Sequence, residues 1–190
     1  MEIVCLLGSP RTAGNSTAVA RRFCESAESL GAGVRTFALN QLQYSGCQGC
    51  MACKNELERC VLEDDLTEVL DAVYEADVLV LASPVYYGDV SSQLKAFIDR
   101  TFSYLVSDYT VNTNMSRLKP GKRLVFILAQ GDPDEKQHAD IFQRYAHFFE
   151  WYGFVDSRPI RVCGVMDEGE AAKRADVMDL AKRTAEELCS

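Results

Sequence analysis

The chain has 190 residues, 47% of them hydrophobic and 25% charged, with eight cysteines and a formal net charge of −8. That length fits one domain over residues 1–190, and the ordinary hydrophobic share excludes disordered and fibrous architectures. The acidic balance excludes the basic face that a nucleic-acid partner or an anionic membrane surface selects.

No stretch approaches the ~20 apolar residues of a membrane span. The apolar start, Met1 to Leu7, is short, lacks a basic lead and is broken by Gly8, so it is not read as a signal peptide. A cytoplasmic protein is expected, in which eight cysteines are not structural disulfides.

In chain order, Ile3–Leu7 is a continuous apolar run that suits a buried parallel strand. Asn15–Leu30 reads as a helix, with Asn15 or Ser16 as its cap and Gly31 and Gly33 as its stop. Val34–Leu39 is a second strand. Ser45–Cys60 has no clear period. Asp64–Glu75 is helical, with Leu66, Val69, Leu70 and Val73 on one face. Val78–Ala82 is the most apolar strand, and Ser83-Pro84 is expected to end it. Val90–Tyr104 is helical with Leu94, Phe97, Ile98 and Phe102 inward. Asp108–Lys119 is polar and without period. Arg123–Ala129 is a strand, Glu135–Tyr152 a helix holding His138 and His147, Phe154–Val162 a strand and Glu170–Leu188 a last helix. Strands alternating with helices imply an α/β protein, a parallel sheet with helices on both faces.

Ligands of such sheets bind beyond the carboxyl ends of the strands. Gly8–Thr17, Ser83–Val90 and Gln130–Asp134 occupy that position, and each carries Gly or Pro beside hydroxyl or amide side chains. The first loop is rich in hydroxyls and opens a helix, which makes a neutral phosphate cradle. Asn15 stands where a nucleoside-triphosphatase loop needs Lys, and no dinucleotide glycine fingerprint occurs. Cys5 with Arg11 does fit the C-x5-R signature of low-molecular-weight tyrosine phosphatases, with Asp132-Pro133 as an acid–proline pair. Against that hydrolase reading, Cys5 lies inside an apolar run rather than at the mouth of the loop.

The segments Gly8-Ser9-Pro10-Arg11, Gly14-Asn15-Ser16-Thr17, Ser83-Pro84-Val85-Tyr86-Tyr87-Gly88 and Gln93 to Arg100 together resemble the flavodoxin-like NAD(P)H-dependent FMN reductases. The resemblance implies a three-layer sandwich around a five-stranded parallel sheet. By it, Ser9, Arg11, Asn15, Ser16 and Thr17 hold the FMN phosphate. Pro84, Val85, Tyr86, Tyr87 and Gly88 hold the isoalloxazine, and Gln130, Gly131 and Asp132 line its other side. One of the two tyrosines is expected to be ordinary packing. A homodimer or homotetramer is implied as well.

Cys47-x2-Cys50-x2-Cys53-x6-Cys60 resembles the compact motif of iron–sulfur flavoproteins, which implies a [4Fe–4S] cluster. Zinc suits the spacing less well, because it favours two x2 pairs set apart by a longer loop. A redox disulfide and free thiols stay open. His138 and His147, nine apart, make no metal pair, and Trp151, Tyr152, Phe148 and Phe149 read as core or subunit contact. The leading expectation is an FMN oxidoreductase taking a hydride from NAD(P)H and passing electrons to a quinone, flavin or redox protein. The alternative is an electron carrier without NAD(P)H activity. No side chain is assigned a proton-transfer role.

Overall fold

The structure, a computed structural model, describes residues 1–55 and 57–189. Its elements are β1 (Glu2–Leu7), α1 (Asn15–Ser29), β2 (Gly33–Ala38), α2 (Ala52–Asn55), α3 (Asp65–Glu75), β3 (Val78–Tyr86), β4 (Asp89–Val90), α4 (Ser92–Arg100), β5 (Lys122–Ala129), α5 (Asp140–Trp151), β6 (Phe154–Val162) and α6 (Ala175–Cys189). Short 3₁₀ turns cover Leu39–Gln41, Thr101–Tyr104 and Ala171–Lys173.

Five strands run parallel in the order β2-β1-β3-β5-β6, and β4 pairs antiparallel with β3. The apolar runs are continuous because both faces of the sheet are covered. Side chains alternate between two cores along each strand. Val4, Leu6, Leu79, Leu81, Leu124, Phe126 and Leu128 face a core shared with α3, α4 and α5. Ile3, Cys5, Leu7, Val78, Val80, Val125 and Ile127 face the core under α1 and α6. This is the expected three-layer α/β sandwich.

Several boundaries differ from the sequence reading. Strand β3 does not stop at Ser83-Pro84. Gly8 N–H donates to Ala82 O at 2.7 Å, so residue 82 faces β1, and Pro84, two residues on, faces the same side after β1 has turned away. The proline's missing donor therefore costs no ladder bond, and β5 continues beside it, with Ser83 opposite Leu128 and Pro84 opposite Ala129. Helix α4 begins at Ser92 behind a Ser91 cap and tightens into the 3₁₀ turn Thr101–Tyr104, leaving Ile98 and Phe102 half-buried. Helix α5 begins at Asp140, so His138 lies outside it, in a turn with φ 59°. Helix α6 begins at Ala175, after the 3₁₀ turn. Asp108–Lys119 is irregular; a single bridge links Leu105 to Ser116.

Candidate functional site

The chain leaves β1 toward β2 on one side of the sheet and reaches β3 on the other, so β1 and β3 flank a topological switch point. Two loops meet there, the one between β1 and α1 and the end of β3. Their junction is stitched by buried hydroxyls: Ser91 Oγ donates to Gly8 O at 2.7 Å, and Ser91 N–H donates to Ser83 Oγ at 2.9 Å. A cleft of about 330 Å³ opens above it.

Helix α1 has no side-chain cap and no acidic residue in its first turn. The expected caps, Asn15 and Ser16, are instead the first helical residues, and Gly14 holds the N-cap position. A Cβ on Gly14 would stand 2.5 Å from Ser9 Oγ and 3.2 Å from Arg11 O, so a larger residue there would push the Ser9 hydroxyl out of its place. The free N–H groups and the positive end of the helix dipole face outward to the cleft. Ser16 Oγ is buried and makes no hydrogen bond with any described residue. A buried hydroxyl without a partner costs about 1–3 kcal/mol, which an anion seated on α1 relieves.

Ser9, Arg11, Asn15, Ser16, Pro84, Val85, Tyr86 and Gly131 share this cleft. Arg11 and Asn15 are already engaged: Arg11 Nη1 donates to Met166 O at 2.9 Å, and the Asn15 amide spans Asp167 O and Ala171 N–H. They tie the cradle to the loop after β6. Thr17 lines a neighbouring cleft with Arg21, Cys24, Thr36 and Asn40 instead. Gln130 is buried and organises its own loop, donating to Asp132 O and Asp134 O and accepting from Arg161. The exposed Asp132 carboxylate accepts from Asp134 N–H. Tyr87 and Gly88 do not line the cleft; they form the tip of the β3–β4 hairpin. Neither tyrosine is packed, since Tyr86 is 44% exposed and Tyr87 fully so.

Sequence reasoning missed Val165 and Met166, which line the cleft from the loop after β6. Their signal was positional, since that loop also lies beyond the carboxyl end of a strand. Glu170 fixes it by accepting from Met166 N–H and Asp167 N–H.

Cys5 is fully buried in β1, where the neighbouring Cys24 and burial push its thiol well above the ordinary range. A thiolate nucleophile is excluded at that position.

The cysteine segment lies on the opposite flank. Arg100, whose side chain is fully buried, donates to both Asp64 oxygens at 2.6 Å, to Ser45 O and to Leu62 O, and so clasps the two ends of the segment together. Burial pushes the Asp64 carboxyl up, but the Arg100 bonds and the Ser45 and Leu66 N–H groups outweigh it and hold it below the usual carboxylate range. Farther along, Lys54 Nζ donates to Phe102 O and Leu105 O, and Arg117 bonds Cys53 O. Burial pushes the Lys54 ammonium down. Cys47 and Cys50 are exposed, Cys53 and Cys60 half-buried, and all four are free thiols. Four thiols are the donor set of a cubane cluster, but among the described residues no three His, Cys, Asp or Glu side chains gather as a metal-holding group. The donor set fits in kind and number, and its arrangement as placed does not.

A five-stranded parallel sheet in this order, with an uncapped helix over its switch point, defines a flavodoxin-like α/β protein. The chain belongs to the family described as Flavodoxin-like fold, which matches residues 1–188. An iron–sulfur flavoprotein of Methanocaldococcus jannaschii is 38% identical over 101 residues, covering 53% of this chain and 52% of that protein. One from Methanosarcina thermophila is 33% identical over 101 residues, with 53% and 52% covered. The match spans about half the length of these relatives. Among solved structures, an FMN-dependent NADH-azoreductase of Bacillus anthracis in complex with FMN superposes with a TM-score of 0.75 at 19% identity over 100% of both chains. An NAD(P)H:quinone oxidoreductase of Methanothermobacter marburgensis gives 0.74 at 18% identity over 99% and 96%.

Proposed function

We propose that this chain is an FMN-binding oxidoreductase that passes electrons from NAD(P)H through the flavin to a quinone, flavin or redox-protein acceptor. The observation that carries the proposal is the buried, unpartnered Ser16 hydroxyl on the uncapped N-terminus of α1, facing a cleft walled by Val85 and Tyr86. Ser9, Ser16 and the first-turn N–H groups would take the FMN phosphate. Arg11 and Asn15 brace that cradle from the loop after β6, and Pro84 to Tyr86, with Gly131 opposite, would border the ring. Bound FMN would supply the electron chemistry, and the protein binds and orients it. The names of the relatives and of the structural neighbours support the same reading.

The proposal extends to Cys47, Cys50, Cys53 and Cys60 as ligands of a [4Fe–4S] cluster, supported by their spacing, their free thiols and the names of the relatives. No electron step is routed through it, because the sulfurs stand apart as placed. A single domain over residues 1–190, a cytoplasmic location and a homodimer or homotetramer belong to the same reading. Among the described residues no helix is long and apolar enough to cross a membrane.

Cofactor extraction with stopped-flow mixing tests the proposal. The extract should run as FMN, and NADPH should bleach it at a catalytic rate. FAD as the main species sinks the cofactor assignment, and a flavin that stays oxidised in NADPH selects the electron carrier. Anaerobic reconstitution with iron and sulfide should load a cluster that any one Cys→Ala substitution removes; failure to load rejects the ligand assignment.

A further inference from the structure

The hairpin between β3 and β4 pairs Val85 with Val90 and Tyr86 with Asp89, leaving Tyr87 and Gly88 as a two-residue turn. Both carry positive φ, 50° at Tyr87 and 76° at Gly88, the pattern of a type I′ turn. The first position of that turn favours Asn, Asp or Gly, because a bulky side chain is strained in the left-handed region. A tyrosine there is a poor choice for folding.

Nothing in the fold uses this side chain. Tyr87 is fully exposed and makes no hydrogen bond or ring contact with any described residue. The residues that follow it in the hairpin, by contrast, are held from several directions. Tyr145 OH donates to Asp89 Oδ1 at 2.7 Å, Arg144 reaches Asp89 and Gly88 O, and His138 lies so close to Gly88 that a Cβ there would stand 3.3 Å from the imidazole. The turn therefore presents one aromatic ring to solvent, one residue along the chain from Tyr86, which lines the cleft. Strain that the surroundings maintain and the fold does not need points to a ligand.

We infer that Tyr87 is an acceptor-specificity residue: its ring stacks on a planar aromatic electron acceptor, of the quinone class, as that acceptor enters the cleft. This rests on the proposed function, since it presumes a reducing group below. It departs from the family resemblance, which puts Tyr87 on the flavin itself. A flat π-surface selects flat, apolar, electron-poor rings, and a compact inorganic oxidant has no face to stack on it.

The test uses the FMN-loaded full chain, with menadione and ferricyanide as alternative acceptors. Tyr87→Asn should raise the KM for menadione about three- to tenfold and leave that for ferricyanide within about twofold, while Tyr87→Phe keeps the wild-type values. Tyr87→Asn should also melt higher than wild type even without cofactor, because Asn accepts the left-handed turn. Equal changes toward both acceptors, an unchanged menadione KM, or a lower melting temperature overturns the inference. A wild-type protein that reduces neither acceptor defeats the proposed function instead. Calorimetric titration of menadione onto wild type and Tyr87→Asn then still decides the stacking role, with equal binding counting against it.

Discussion

The cradle at α1 and the cysteine segment between β2 and α3 are both irregular loops beside the same sheet, and they are held in opposite ways. The cradle is held mostly by backbone and small side chains: a glycine at the cap, serine hydroxyls, and an asparagine bridging to the loop after β6, with exposed Arg11 as its one cationic brace. It is complete as a fold and leaves one buried hydroxyl unspent. The cysteine segment is held by buried cations, with Arg100 at its neck and Lys54 near its middle. Of its thiols, Cys53 lies against Lys54 and Cys60 packs on the core beneath α3. One loop is closed by short bonds among backbone and hydroxyl groups, and the other is fastened at a few points by cations.

The largest effect should come from cutting the clasp. Asp64→Ala leaves the Arg100 guanidinium buried without its carboxylate, and loss of about 3–5 kcal/mol in urea unfolding is expected, as for other broken buried pairs. Hydrogen exchange should rise across the cysteine segment and not at α1. A loss below about 1 kcal/mol means the segment is held elsewhere.

Ser16→Ala breaks the comparison from the other side. It removes a hydroxyl that the fold leaves unpaired, so the cofactor-free chain should unfold at the same or higher denaturant concentration. FMN affinity should fall by about 1.5–3 kcal/mol, the worth of a hydrogen bond to a charged group. Equal FMN affinity in the variant places the phosphate elsewhere.

Acid titration separates the two regions by linkage. Asp64 is held below the usual carboxylate range when folded, so its contribution is full above the unfolded value, near pH 4, and is lost as pH falls through the folded value. Wild-type stability should therefore drop more steeply below about pH 4 than that of Asp64→Ala. Parallel acid limbs would show that Asp64 has the same affinity for protons in both states.

The smallest effect concerns Cys5. Cys5→Ala should cost about 1 kcal/mol for the small void and leave turnover intact, and alkylation of the native protein should reach Cys47 and Cys50 first and Cys5 last. Lost turnover in folded Cys5→Ala returns the nucleophile reading.

Ile3–Leu7 was legible to within one residue, because a strand buried on both faces reads as an unbroken apolar run. Phe154–Val162 matched to the residue although it is a largely polar edge strand. The loops Gly8–Thr17 and Gln130–Asp134 were legible because they begin where apolar strands end, whereas most of Ser83–Val90 proved to be strand. What the sequence could not determine is where a given side chain is spent. Thr17 adjoins Ser16 in the chain but turns into a different cleft, because successive helical residues point about 100° apart. Asn15 reads as a cap or a phosphate ligand, yet a loop more than 150 residues away claims both ends of its amide. The sequence by itself determined the presence of the five parallel strands and the hydroxyl-rich helix start, both local patterns of polarity, but not β4 or the run of β3 past Ser83-Pro84. Only the tertiary structure decided that Arg100 is a buried clasp, that Met166 reaches the cleft and that Tyr87 stands exposed on a strained turn, because each depends on which distant groups the fold brings beside that residue.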